Sequence, residues 1–158
     1  MPDWLKLRDE NAPILWAIAF RILVQHDDAR DCVQEVLLEA IETSRRTVIR
    51  NWPAYLRWLT TRRSIDALRR RRPHQELFDS SLAVSMPCEL ELKEAKELVR
   101  NELSLLPIEQ STAFWMFHVE EMSGKEIAQL MNTTPNAIRI LVHRTKKHLQ
   151  SKLAHLNV

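Results

Sequence analysis

Trp52, Tyr55 and Trp58 fall within seven residues, in NWPAYLRWLTTRRSIDALRRRR, and run straight into Arg62, Arg63, Arg69 and Arg70. Aromatic rings beside guanidinium forks suit unstacked bases and their phosphates, through stacking and charge together. A second basic set, Thr134, Asn136, Arg139, His143, Arg144, Lys146 and Lys147, lies in TTPNAIRILVHRTKKHL. Its spacing puts polar and cationic groups on one helix face, which suits base edges and phosphates of duplex DNA. A third set is acidic. Asp31, Gln34 and Glu35, in DARDCVQEVLLEA, share one helical face, with Asp31 and Glu35 one turn apart and matched to basic groups on a partner helix.

Each set has a plainer alternative. The three rings serve equally well as core, leaving the arginines alone to meet nucleic acid; the basic and acidic faces could be ordinary solvated helix surface. Asp27, Asp28, Asp31 and Glu35, with His26 adjacent, could also be read as metal ligands. They lack a second cluster or a loop to close a pocket, so an enzyme, a metal and a cofactor are not expected.

Composition narrows the class. The chain has 158 residues and one glycine. A single glycine argues against hairpin-rich folds and against phosphate-cradling or dinucleotide-binding loops, which need several. Cys32 and Cys88 have neither zinc spacing nor a disulfide framework, which fits a reducing cytoplasm. The apolar run from Ala12 to Val24 is cut by Arg21 and is too short for membrane insertion. The net charge of +2 hides segregation: residues 1–44 carry −5, 45–73 carry +9, 74–106 carry −4 and 107–158 carry +2. Basic poles suggest polyanion partners, and the choice of arginine over 45–73 favours phosphate.

The elements that must hold these sets are helices. Ile14, Leu15, Ile18, Ala19, Ile22 and Leu23 mark the inward stripe of a first helix. Asp27 or Asp28 can cap a second, with Val33, Val36, Leu37, Ala40 and Ile41 inward. Asn51 or Trp52 starts a third, with Pro53 in its first turn. On that helix Trp52, Tyr55, Leu56 and Leu59 share one side. Trp58, Ile65 and Leu68 lie nearly opposite, a side expected to stay partly apolar among arginines. Residues 74–87 read as a linker.

Beyond the linker, Leu90, Leu92, Ala95, Leu98, Val99 and Leu103 predict one helix, and Pro107 starts another. Ser123 and Glu126 form a capping box, Asn132 suits a left-handed turn position, and Thr134-Pro135 is an N-cap followed by proline. Ile138, Val142, Thr145 and Leu149 face inward on the last helix. Helices of about eight and sixteen residues joined by a three-residue turn make a helix-turn-helix. The fold class is therefore all-α, in two small helical units, 1–73 and 88–158.

The segment LSLLPIEQSTAFWMFHVEEMSGKEIAQLMNTTPNAIRILVHRTKKHL resembles region 4 of bacterial sigma factors of the extracytoplasmic-function class, within the sigma-70 family. DARDCVQEVLLEA resembles the core-binding part of their region 2, and NWPAYLRWLTTRRSIDALRRRR the part that melts and reads the −10 element. The resemblance covers almost the whole chain in the family's order. It implies that Asp31, Gln34 and Glu35 dock on the clamp coiled coil of core RNA polymerase. It places Trp52, Tyr55, Trp58, Arg62, Arg63, Arg69 and Arg70 at the −10 region of promoter DNA. Asp66, Leu68 and Arg69 match the family's Ile-Asp-x-Leu-Arg ending. Asn136, Arg139 and His143 fall where −35 readers stand. Members are often held inactive by an anti-sigma partner.

Three positions depart from the pattern. The family commonly has Asn where Arg62 stands, Gly where Glu121 stands and Arg where Leu141 stands. Altered −10 preference, a different turn before the helix-turn-helix, and one lost DNA contact offset by core packing are the respective expectations. The competing class is a helix-turn-helix regulator that binds duplex DNA without being a polymerase subunit. It would leave the first unit unexplained and would be expected to dimerise on paired half-sites.

Overall fold

The computed structural model describes residues 1–71 and 87–154. Among them run seven α-helices and no strand: α1 (Trp4–Leu23), α2 (His26–Ser44), α3 (Trp52–Arg70), α4 (Pro87–Leu105), α5 (Ile108–His118), α6 (Gly124–Leu130) and α7 (Pro135–Leu153). The chain is all-α, as its periodicity indicates. The expected linker, 74–87, lies outside the described residues except for Pro87, which already begins α4. The side chain of Leu90 also lies outside them.

Local chemistry sets most helix starts. Side-chain oxygens of Asp3, Asn51, Ser123 and Thr134 accept the N–H of Lys6, Ala54, Glu126 and Ala137, each satisfying a donor that the first turn leaves unpaired. The Ser123 box closes differently from the usual form: its hydroxyl donates to the Glu126 carboxylate at 3.1 Å. Asn132, at φ 57°, takes the left-handed position expected of it.

Other expectations need correction. Neither Asp27 nor Asp28 caps α2. Gln25 precedes that helix without a side-chain cap, and the two aspartates sit in the first turn, where the helix dipole favours negative charge. α1 already begins at Trp4, and Ile14 is half exposed because the buried stripe runs through Leu15, Ile18, Ala19, Ile22 and Leu23. α7 has 19 residues and α6 has 7, so the second helix of the pair is longer than its inward stripe suggested.

Two cores form. Leu15, Ile18 and Ile22 of α1, Val33, Val36 and Ala40 of α2, and Leu56, Leu59 and Ile65 of α3 make the first, which extends to Leu103, Trp115 and Leu149. Met116, Met122, Ile127, Ala128, Ile138 and Val142 make the second, with Leu141 packed against it as expected. α3 touches α1 and α2 on one side and α4, α5 and α6 on the other. The side of α3 expected to stay open among arginines is therefore covered: Ile65 is buried in the first core, and Trp58 packs on both. Hydroxyls inside this packing are satisfied locally, Thr60 donating to the Leu56 carbonyl at 2.7 Å and Thr61 to that of Arg57 at 2.9 Å. Burial pushes the Cys32 thiol, 3.3 Å from the Ser64 hydroxyl, above its ordinary pKa and keeps it unreactive.

Two left-handed residues bear a conformational cost. Val24 closes α1 at φ 60°, and Glu121 stands at φ 55° before α6. The turn at Glu121 thus keeps a conformation that glycine supplies freely, at roughly 1–2 kcal/mol for a residue with a Cβ. Glu121→Gly is expected to stabilise the fold by about 0.5–1 kcal/mol after the larger entropy of the unfolded glycine is subtracted. In thermal unfolding this appears as a rise of roughly 2–4 °C per kcal/mol. An unchanged or lower midpoint would show that Glu121 makes compensating contacts.

Candidate nucleic-acid and partner-docking surfaces

α7 separates its residues cleanly. Ile138, Val142, Thr145 and Leu149 are buried, while Asn136, Arg139, His143, Arg144, Lys146 and Lys147 are all exposed. The cap fixes where the helix starts, and it occupies the Thr134 hydroxyl, which accepts the Ala137 N–H at 3.1 Å. Arg139 donates to the Asn136 side-chain oxygen at 2.8 Å, so the two candidate base readers are already paired and aimed together. Behind them runs a groove of about 410 Å³, with Phe117, Ile138 and Val142 among its walls and Arg139, His143 and Lys146 on its rim. Burial, and then the nearby Lys146 charge, holds His118 below the usual imidazole range, so it adds no charge to that rim at neutral pH.

α3 presents a different picture. Trp52 meets Trp4 edge-on with ring centroids 5.0 Å apart, and Tyr55 lies between Trp52 and Trp58, each centroid 5.7 Å away. All three rings are half-buried. The Arg62 guanidinium lies 5.7 Å from the Trp58 ring centre and 3.3 Å from Glu109 at the start of α5. Arg63 grips Glu39 with two hydrogen bonds of 2.6 and 2.7 Å, which raise its pKa. Arg70 reaches Asp66 at 3.2 Å, and Arg69 donates to the carbonyls of Ser104 (2.9 Å) and Leu106. Every candidate arginine of α3 thus has a protein partner, two of them across the contact with α4 and α5.

Sequence reasoning passed over several groups. Arg45, Arg46 and Arg50 are exposed around the α2–α3 connection, beside a cleft of about 600 Å³. Thr47–Asn51, Ala54 and Tyr55 form one wall of it, and Glu126, Gln129, Leu130 and Asn132 the other. The dense charge of 45–73 was the available signal, but it does not distinguish a loop arginine from a helical one. Arg71 pins the end of α3 by donating to the Leu23 carbonyl at 2.6 Å and to Asp28.

On α2, Asp31, Gln34 and Glu35 are exposed, and neither acid makes an ion pair among the described residues. Leu38, 66% exposed, continues the same face one turn further. Asp28 and Glu39 do not join it, since Arg71 and Arg63 hold them. His26 stacks near Trp16 and Phe20 and belongs to an aromatic cluster. No group of three His, Cys, Asp or Glu side chains among the described residues is placed to hold a metal ion. No described helix is long and apolar enough to cross a membrane.

Comparison with known proteins gives this arrangement a family. Residues 7–74 match the model of sigma-70 region 2 and residues 96–149 that of sigma-70 region 4. The two matches together cover most of the chain, which belongs to the sigma-70 family and not to a family of enzymes. It is 22% identical to the extracytoplasmic-function RNA polymerase sigma factor SigE of Mycolicibacterium smegmatis, over 98% of this chain. It spans 63% of that relative's length. Its fold is similar to that of the sigma factor RpoE in a complex with the anti-sigma factor NepR from Bartonella quintana (TM-score 0.58, 23% identity, 98% of each chain). It is also similar to the Mycobacterium tuberculosis extracytoplasmic function sigma factor SigJ (TM-score 0.50, 23% identity, 90% of this chain and 50% of that one).

Arg139 and Lys146 are both exposed on α7, Arg139 two turns nearer its start, and the expected roles of base reading and phosphate holding can be told apart by substitution. Arg139→Ala is expected to cost roughly 1–3 kcal/mol on a preferred duplex and little on random DNA. Lys146→Ala is expected to weaken both alike and make the salt dependence shallower. Titrations of both variants against specific and scrambled duplexes measure this. Equal losses for Arg139→Ala on the two DNAs would remove it from base reading.

Proposed function

We propose that this protein binds core RNA polymerase and directs promoter-specific initiation by recognising −35 and −10 elements. The observation that carries the reading is the order of parts in one chain: an exposed acidic face on α2 that makes no ion pair among the described residues, an arginine- and tryptophan-bearing α3, then a helix-turn-helix with an exposed basic second helix. In this reading residues 1–73 form the polymerase- and −10-binding unit, 74–87 the linker and 88–158 the −35-binding unit. Asp31, Gln34 and Glu35 dock on a basic helical surface of the polymerase clamp, with Leu38 supplying apolar contact. Arg62, Arg63, Arg69 and Arg70 hold promoter phosphates at the −10 region, and at least one of Trp52, Tyr55 and Trp58 supports displaced bases there. Asn136, Arg139 and His143 read the −35 element, Arg144, Lys146 and Lys147 hold its phosphates, and Thr134 orients the helix that carries them.

The reading places the protein in the cytoplasm, where polymerase and promoter DNA are. It also admits an anti-sigma partner, in keeping with the complex in which the Bartonella RpoE was solved. A regulator acting without polymerase would have no use for the acidic face of α2.

Asp31→Lys with Glu35→Lys tests the proposal directly. Both side chains are exposed and neither holds the fold together, so thermal unfolding should stay nearly unchanged. Affinity for core polymerase, followed by fluorescence anisotropy, should fall at least tenfold, and promoter-directed transcription with it. Wild-type affinity in the double variant would dismiss the docking face, and binding of promoter DNA with equal preference in the absence of polymerase would favour the regulator.

A further inference from the structure

α7 carries one residue that neither packing nor charge accounts for. Ile140 is 41% exposed and belongs to neither core. At about 100° per residue it lies roughly 140–180° around the helix from each of the buried Ile138, Val142, Thr145 and Leu149, so it stands at the centre of the outer face. Asn136 and Arg144 lie one turn before and one turn after it, and Arg139 and His143 flank it; all four are exposed. Helix propensity does not select isoleucine here either, because arginine, lysine or glutamine suits an exposed helical site better. A scattered exposed aliphatic side chain is ordinary on a protein surface. This one is ringed by the polar and cationic groups that, on the reading above, face DNA.

Phosphates and water offer an aliphatic group nothing. The base edges of the major groove offer it one apolar partner, the C5 methyl group of thymine. A helical side chain leans toward the N-terminus of its helix, so that of Ile140 covers the turn holding Asn136 and Arg139, which are joined at 2.8 Å. A methyl group that meets it belongs to a base pair next to the one those two address. Isoleucine's χ1 is already restricted in a helix, so the contact freezes little further motion.

We infer that Ile140 is a specificity-determining residue that selects thymine through its methyl group, at one position beside the base pair addressed by Asn136 and Arg139. The inference rests on the −35-binding reading of α7 and adds to it a contact made by apolar surface alone.

The test uses the full chain bound to core polymerase, with its preferred −35 duplex selected from a random library. Each thymine of that duplex is replaced in turn by uracil, which keeps every hydrogen-bonding group and removes only the methyl. With the wild-type chain, one replacement is expected to weaken binding roughly fourfold, the factor contributed by burying one carbon group of this size. Ile140→Ala removes no core contact, so it is expected to unfold at the wild-type temperature. It is also expected to bind the thymine and uracil duplexes equally at that position. Absence of any uracil-sensitive thymine in the wild type, or a penalty of the same size in Ile140→Ala, overturns the methyl contact. A preferred duplex without uracil sensitivity removes Ile140 from base selection and leaves the −35 reading standing, whereas a selection that returns no preferred duplex removes both.

Discussion

α3 is a helix buried on two sides that nevertheless carries a dense row of arginines, and the rest of the molecule is arranged around that conflict. Its apolar residues supply a wall for the first core, and Trp58 supplies part of a wall for the second. The guanidinium groups cannot follow them inward without partners, so their stems lie along apolar surface while the heads reach carboxylates and helix-end carbonyls. Glu39, Asp66, Glu109, Glu120 and the last carbonyls of α4 each answer one of these groups. Both halves therefore depend on the same helix, one through packing and the other through packing and charge.

The same pairing decides which surfaces remain available. Of the acidic residues on α2, Asp28 and Glu39 are taken by Arg71 and Arg63, while Asp31 and Glu35 are left on the outer face. Among the described residues the exposed cations of α7 make no ion pair, and near its end the partly buried His148 meets Glu102 at 2.8 Å. The central cations of that helix stay exposed. Charge segregation along the chain thus becomes neutralised contact at the centre and unpaired charge at two separate faces.

Much of this was legible from spacing alone. Capping by Ser123 and Thr134, a start of α3 at Asn51 or Trp52, the left-handed Asn132, and the inward stripe of α7 follow from rules that act within a turn or two of helix. The outward basic residues of α7 were legible for the same reason, because a buried stripe at three-and-four spacing leaves the other face free. What spacing could not supply was the partner of each face. Periodicity shows that Ile65 and Trp58 lie on a common side of α3 but not that this side is covered. Arg21 and Glu120 are 99 positions apart, and Arg57 meets a backbone carbonyl, which has no identity in the sequence at all. The acidic set was visible, but which of its members were already spent on arginines was a property of the packed structure.

The hydrogen bond between Arg139 and Asn136 has a consequence for how this lineage can diverge. Arg139 donates one hydrogen bond to the Asn136 side-chain oxygen at 2.8 Å, which links the directions of the two side chains. A change at one position leaves its neighbour misdirected as well as altering its own contact. On the proposed reading of α7 the two positions behave as one heritable unit, and among descendants of this chain residues 136 and 139 are expected to be exchanged together, as a matched pair.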